Sequence, residues 1–306
     1  MTATPRPTAP VEIESGVPFA RLTTVGIGGP ARSFARPATV SELRSTLGWA
    51  ISEGVRVIAV GLGSNVLASD TGVDALVIRL AGELASVDIR GERLVAGGGA
   101  PNAVCLHRAR AAGLGGMEFA CAIPGTAGGG VRMNAGAYGR DWSRIVERAL
   151  VVDGEEADWL SLDRLDLSYR HSALGPGQVV AQVEFRLGPR PVEEIKRTVA
   201  GLNAARKAAQ PTNRRTFGSV FKNPDHELGA GQMLDACGLR GFRLGGAQIS
   251  PRHANFIENV EHATAADAIA LMAEARRRAL DEYGVTLERE VELLGGLELP
   301  AVGSLS

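Results

Sequence analysis

Apolar and polar positions follow two periods along this chain. Val40, Leu43, Leu47, Ala50 and Ile51 recur at helical spacing behind Thr39-x-x-Glu42, a capping box, and Gly54 closes the run. The same period predicts a helix over 101–112, with Pro101 in its first turn and Gly113 at its end, and another over 191–209 that stops at Gln210-Pro211. A short helix over 231–237 and a long amphipathic one over 264–284, capped at Thr264-x-x-Asp267, complete the helical set. Strands are predicted where β-branched residues cluster or alternate: a buried one at 55–60, then 75–80, a hairpin over 84–97 about Arg90-Gly91-Glu92, and 144–153, 157–160 and 179–187. A last strand, 286–294, carries Glu288, Glu290 and Glu292 on one face of its pleat. Residues 1–16 read as a flexible tail without the apolar segment of a secretory signal.

Between these elements lies a stretch poor in side chains. Residues 118–139 contain Gly125, Gly128, Gly129, Gly130, Gly136 and Gly139, with Pro124 and Asn134 among them. Such a loop lets the backbone approach a flat ligand and turn its N–H groups toward it; a tight glycine-rich crossover without a ligand is the alternative. A second bend, Gly61-Leu62-Gly63-Ser64-Asn65, follows the 55–60 strand and suits an anion-binding nest, with Ser64 and Asn65 adding side-chain donors. Gly26-x-Gly28-x-x-Ala31 matches a dinucleotide fingerprint in form only, because strand-like sequence and not a helix follows it.

Composition narrows the classes. A chain of 306 residues, 45% apolar and 22% charged, is an ordinary globular protein long enough for about two or three domains. Its net charge of −1 supports no nucleic-acid partner, and no apolar run is long enough for a membrane helix. Cys105, Cys121 and Cys237 have unrelated spacings, which favours reduced thiols in a cytoplasm. A P-loop, the zincin pattern and Gly-x-Ser-x-Gly are all missing, and the five histidines lack ligand spacing, so no metal is expected. His253 reads as structural, and Trp49, Trp142 and Trp159 as packing residues.

Taken together, Thr23-to-Ala31, Gly61-to-Asn65, Ile-Pro-Gly-Thr-x-Gly-Gly with Met-Asn-Ala-Gly-Ala-Tyr-Gly, Tyr169-Arg170-His171-Ser172, Gly-Ser-Val-Phe-Lys-Asn-Pro and the segments 246–259 and 287–295 resemble the UDP-N-acetylenolpyruvoylglucosamine reductases, the MurB family of bacterial cell-wall precursor synthesis. The resemblance covers about 17–295 and is closest to the family's second type, which lacks a tyrosine-bearing loop. It implies an α+β fold of the vanillyl-alcohol-oxidase (PCMH) kind, with FAD-binding lobes at 17–83 and 84–205 and a C-terminal α+β substrate-binding domain at 206–306. It implies non-covalent FAD, NADPH as co-substrate, a UDP-sugar as small-molecule substrate, and neither nucleic acid nor membrane as partner. Gly61, Leu62, Gly63, Ser64 and Asn65 would wrap the pyrophosphate. Ala122, Ile123, Pro124, Gly125, Thr126, Gly128 and Gly129, with Asn134, Ala135 and Gly136, would hold the flavin side.

By the same match Arg170 stabilises the developing enolate, Glu290 completes the site, and Ser219 donates a proton to C2. Tyr169, Lys222 and Asn223 would contact the substrate, and Arg132 and Tyr138 would shape the nicotinamide or substrate face. Glu290 is chosen over Glu288 from the family pattern, since pleat alternation does not separate them. One departure concerns the linker: many members place a lysine before Gln-Pro, whereas this chain has Ala208-Ala209, leaving Lys207 or Arg214-Arg215 as the substitute cation. Two rivals remain at this level, another oxidase of the same flavin fold and a catalytically inactive flavin-binding module.

Overall fold

A computed structural model describes residues 9–301. The expected tail is partly outside these residues, since 1–8 are not described, and its end is ordered: Ile13–Pro18 is a strand. Two compact units divide the chain, one of residues 9–16, 32–61 and 74–202, the other of 17–31, 62–73 and 203–301. Segments 17–31 and 62–73 thus pack with the C-terminal hundred residues rather than with their neighbours in sequence. The reason is burial: Val25, Ile27 and Leu67 belong to the same apolar cluster as Phe217, Met233 and Leu271.

In the first unit, a five-stranded antiparallel sheet has the order Glu156–Ser161, Val146–Asp153, Val179–Arg186, Arg93–Gly97, Val87–Arg90. Helix Asn102–Ala111 and the short helix Ala127–Arg132 share its core with Phe119, Trp142 and Phe185, whose rings lie edge-on or tilted at 5.4 Å between centroids. A four-stranded sheet, ordered Ile13–Pro18, Pro30–Ala35, Val73–Ile78, Val57–Ala59, packs Leu76 and Ile78 against Leu43, Leu47 and Ala50 of helix Val40–Ser52. Thr39 caps this helix as the sequence predicts, accepting from the Glu42 amide at 3.1 Å.

Two details differ from the pattern. Ile51 is 65% exposed, because the buried stripe runs through Leu43, Thr46, Leu47 and Ala50 and passes one residue before it. The strand expected as buried over 55–60 is shorter, Val57–Ala59, and half-buried, since it ends the sheet and has a partner on one side only.

The second unit holds an antiparallel sheet ordered Thr216–Ser219, Phe256–Asn259, Ala247–Ile249, Arg243–Leu244, packed by helices Ala230–Ala236 and Ala265–Tyr283. The long helix has the predicted reciprocal box: Thr264 Oγ1 accepts from the Asp267 amide and Asp267 Oδ2 from the Thr264 amide, each at 3.0 Å. The Thr264 amide, helped by the Gly246 amide that donates to the same Oδ2 at 3.2 Å, holds the Asp267 carboxyl below the usual carboxylate range. The predicted last strand is corrected: only Glu292–Leu294 is regular, paired in parallel with Val66–Ala68. Residues 288–290 leave the pleat because they bond across to 220–222 instead. No helix among the described residues is long and apolar enough to cross a membrane.

Candidate active site

The two glycine-rich stretches are built differently. Residues 127–132 of the longer one form a helical turn capped by Thr126, whose Oγ1 accepts from the Gly129 amide at 3.4 Å. Its leading amides are committed inside the unit: Ala127 to Ala100 O at 2.9 Å, Gly128 to Gly98 O at 2.8 Å and Gly130 to Thr126 O at 2.8 Å. The expected row of amides turned toward a ligand is therefore absent over 127–130. Glycine is needed at 130 for space, because the buried Trp142 indole occupies the place its Cβ would take.

At 61–65 the amides of Gly61, Leu62, Gly63 and Asn65 donate to no backbone carbonyl among the described residues. Gly63 has φ +64 and lies against Leu22 O, while a Cβ on Gly61 would stand 2.6 Å from Thr126 Oγ1. Around 123–125, Asn102 donates from its amide to Gly125 O at 3.0 Å and from Nδ2 to Ile123 O at 3.1 Å. Asn102 Oδ1 is buried and has no hydrogen-bond partner. A glycine-bearing bend with uncommitted amides suits a phosphate, and an orphaned buried acceptor beside 123–125 suits a ligand donor. These features fit a flavin dinucleotide. Cys105, next in this core, has its thiol pushed up to about 12 by burial and is no nucleophile for a covalent link.

Arg170 occupies the tip of a two-residue turn, where Ser168 and His171 exchange backbone hydrogen bonds at 3.1 and 3.2 Å. Its φ is +55, and Asn134 and Tyr138 share this left-handed conformation at +37 and +55. Non-glycine residues hold it only where their surroundings impose it. The imposing contacts are specific. Arg170 Nη2 donates to Gly136 O at 3.0 Å, its guanidinium lies 5.0 Å from the exposed Tyr169 ring, and buried Asn134 donates from Nδ2 to Ser168 O at 2.8 Å. Asn134 Oδ1 accepts from the Ser143 amide at 3.0 Å, so the side chain of this expected flavin contact ties the turn to residue 143. Arg132 donates to Gly175 O and Gln178 O at 2.9 and 2.8 Å, and Tyr138 Oη to Leu202 O at 2.9 Å, so both brace backbone.

In the second unit the structure brings Ser219, Glu290, Lys222 and Asn65 together. Ser219 ends its strand behind Gly218, whose φ of +83 accompanies a register shift between Thr216 and Ser219. The Glu290 amide donates to Val220 O at 2.8 Å and the Lys222 amide to Glu288 O at 2.9 Å, with Phe221 opposite Arg289. Asn65 Nδ2 donates to Glu290 O at 3.1 Å, and Asn65 O accepts from the Glu292 amide at 3.0 Å. Lys222 Nζ meets the exposed Glu288 at 2.6 Å, and Asn223 Oδ1 accepts from the Ala230 amide at 3.1 Å. Glu290 is half-buried where Glu288 is exposed, a difference the alternation alone did not provide. Lys207 offers its carbonyl to Arg252, and Arg214 lies 3.8 Å from Glu258. His253 accepts from the Asn255 amide through Nδ1 at 3.2 Å, and burial lowers its pKa.

Sequence reasoning missed Asn255 and Asn102. Each acts through side-chain bonds to backbone that is distant in sequence, for which no local pattern exists.

Comparison with known proteins places the chain in a family. Residues 31–161 match the FAD binding domain model, and residues 210–294 match the C-terminal domain model of UDP-N-acetylenolpyruvoylglucosamine reductase. The fold and site therefore define an FAD-dependent oxidoreductase. A reductase of that name from Anaeromyxobacter dehalogenans is 42% identical over 91% of this chain and 84% of its own length. Another, from Granulibacter bethesdensis, is 39% identical over 92% and 91%. The crystal structure of the enzyme from Thermus caldophilus superposes with a TM-score of 0.82 at 36% identity, covering 93% of this chain and all of that one. The chain belongs to the UDP-N-acetylenolpyruvoylglucosamine reductase family.

Proposed function

We propose that this protein reduces the enolpyruvyl group of UDP-N-acetylglucosamine enolpyruvate to UDP-N-acetylmuramate, using NADPH, in the cytoplasmic synthesis of peptidoglycan precursors. Its partner is then a small UDP-sugar, with no nucleic acid or membrane involved. Lobes 17–83 and 84–205 would serve the flavin and 206–306 the substrate, with segments 17–31 and 62–73 of the first lobe packed in the C-terminal unit. Gly61 to Asn65, Ala122 to Gly129 and Asn134 to Gly136 would hold FAD, which when bound accepts hydride from NADPH and supplies it from N5 to C3 of the substrate. The residues of the chain handle the charge and the proton.

Hydride addition to a vinyl carboxylate drives negative charge through C2 into the carboxylate oxygens, and fixed cationic donors lower that barrier. Arg170 takes this role: a guanidinium presents a planar fork of donors, and the Tyr169 face with Gly136 O sets its plane. Ser219 holds the proton delivered to C2. A serine hydroxyl is a weak acid, but an enolate carbon is basic enough for the transfer to run downhill. Glu290 orients groups around the developing charge, and Tyr169, Lys222 and Asn223 bind substrate.

The observation that carries the reading is the ladder joining Val220 O to the Glu290 amide at 2.8 Å. It ties the backbone next to the proposed donor to the residue that bears the proposed carboxylate, although they lie far apart in sequence. Stopped-flow absorbance tests it. Ser219→Ala is expected to be reduced by NADPH at the normal rate and to lose reoxidation by the enolpyruvyl UDP-sugar; normal turnover would refute the assignment. Bleaching of the yellow protein by NADPH, with colour restored by the UDP-sugar and not by air alone, separates this activity from an oxidase and from an inactive flavin module.

A further inference from the structure

Asn255 is 4% exposed, and both ends of its side-chain amide are spent on one distant residue. Its Nδ2 donates to Phe221 O at 2.8 Å, and its Oδ1 accepts from the Phe221 amide at 3.0 Å. Its own carbonyl accepts from the Val220 amide at 2.9 Å. These three bonds hold one side of the 220–221 backbone, while the other side is held by Glu290 and Glu288 through Val220 O and the Lys222 amide. The Val220 and Phe221 side chains are themselves 1% exposed, so this backbone has no room to rotate. On the N-terminal side of Ser219 the constraint is of a different kind. Gly218 at φ +83 lets the strand slip its register and re-aims the residue that follows. Ser219 therefore stands between a turn that redirects it and a peptide that Asn255 clamps.

We infer that Asn255 is a positioning residue for Ser219: it touches neither substrate nor flavin, and it fixes the backbone from which the serine hydroxyl is presented. The inference rests on the reading of Ser219 as proton donor. The chemistry of the clamp is selective. Among uncharged side chains of this size only a primary amide donates and accepts side by side, as a peptide group in a strand does. Aspartate keeps the shape but sets an acceptor against Phe221 O, and alanine leaves a buried carbonyl and a buried amide without partners.

The test uses the full-length holoenzyme. In Asn255→Ala and in Asn255→Asp, flavin content and the rate of reduction by NADPH should stay within about twofold of wild type. The rate at which UDP-N-acetylglucosamine enolpyruvate reoxidises dithionite-reduced enzyme should fall at least tenfold, with little change in substrate half-saturation. Introduced into Ser219→Ala, the same changes should slow reoxidation by less than about twofold more, because a positioning residue has nothing left to position. Independently of activity, hydrogen exchange at the Phe221 amide should quicken at least tenfold in Asn255→Ala. Where that variant does not accumulate as a flavoprotein, Asn255→Ser, which retains a polar group, carries the same measurements.

Unchanged reoxidation, equal slowing in the Ser219→Ala background, or a matching loss in flavin reduction each overturns the role of Asn255. Slow reoxidation in Ser219→Ala beside normal reoxidation in Asn255→Ala sinks this inference alone. Normal reoxidation in Ser219→Ala sinks the reading of Ser219 and this inference with it.

Discussion

The bend at 61–65 and the stretch at 122–136 look alike in sequence, both small, glycine-rich and placed between regular elements. Their glycines answer different needs. At 61–65 the backbone keeps amides that no described carbonyl takes, which leaves donors available to a ligand. At 127–130 the amides are consumed by Ala100, Gly98 and Thr126, and Gly130 exists so that Trp142 can fill the core. A glycine cluster thus marks close approach, and what approaches is decided by which amides remain.

The sharpest way to break this contrast is Gly130→Ala. Its methyl group would overlap the Trp142 indole in a core with no slack, at a cost of about 3 kcal/mol. We expect a large fall in Tm for apo and holo protein alike, read by thermal unfolding; a Tm near wild type would show that the packing reading is wrong. Gly63→Ala should act on the ligand side. Its left-handed φ costs an L-residue roughly 1–2 kcal/mol locally, and the contact with Leu22 O adds to that. FAD titration should give a Kd raised roughly tenfold, with a smaller Tm loss than Gly130→Ala in apo protein. If the two variants lose stability and affinity in the same proportion, the two stretches do the same work and the contrast fails.

The smallest effect is a reference point away from both stretches. Thr264→Ala removes the cap of helix Ala265–Tyr283 and should cost about 1 kcal/mol, or a Tm drop of roughly 2–4 °C, with flavin affinity unchanged. Its partner gives the pH signature. The Asp267 carboxyl lies below its ordinary value, so its contribution is present above about pH 4 and is lost as pH falls through the folded-state value. The stability gap between wild type and Asp267→Asn should therefore close on acidification, as followed by denaturant midpoints from neutral pH downward. A gap that widens would reverse the sign and remove the box.

Much of the fold was legible because its signals are local. Thr39, Thr264 and Gly284 mark helix ends through bonds to residues three or four positions away, and the structure places those ends within a residue or so of the pattern. The alternating glutamates of 286–294 misled for the same reason. Their period is strand-like, but residues 288–290 are held by 220–222, and only 292–294 joins a regular pair. The candidate site was legible as a set of motifs. The supports of its side chains were not. Asn134 reaches Ser168 and Ser143, and Asn255 reaches Phe221, by bonds whose partners no spacing rule connects.

By itself the sequence determined the local elements, their caps, the motifs that name the family, and the residue types available for charge and proton transfer, because periodicity and capping depend on near neighbours. Tertiary structure alone decided which amides stay uncommitted, which glutamate lies half-buried beside Val220, and which asparagines hold the Arg170 turn and the Ser219 strand. Those outcomes depend on partners tens to hundreds of residues away, and a hydrogen bond is settled only when both of its ends have been brought into place.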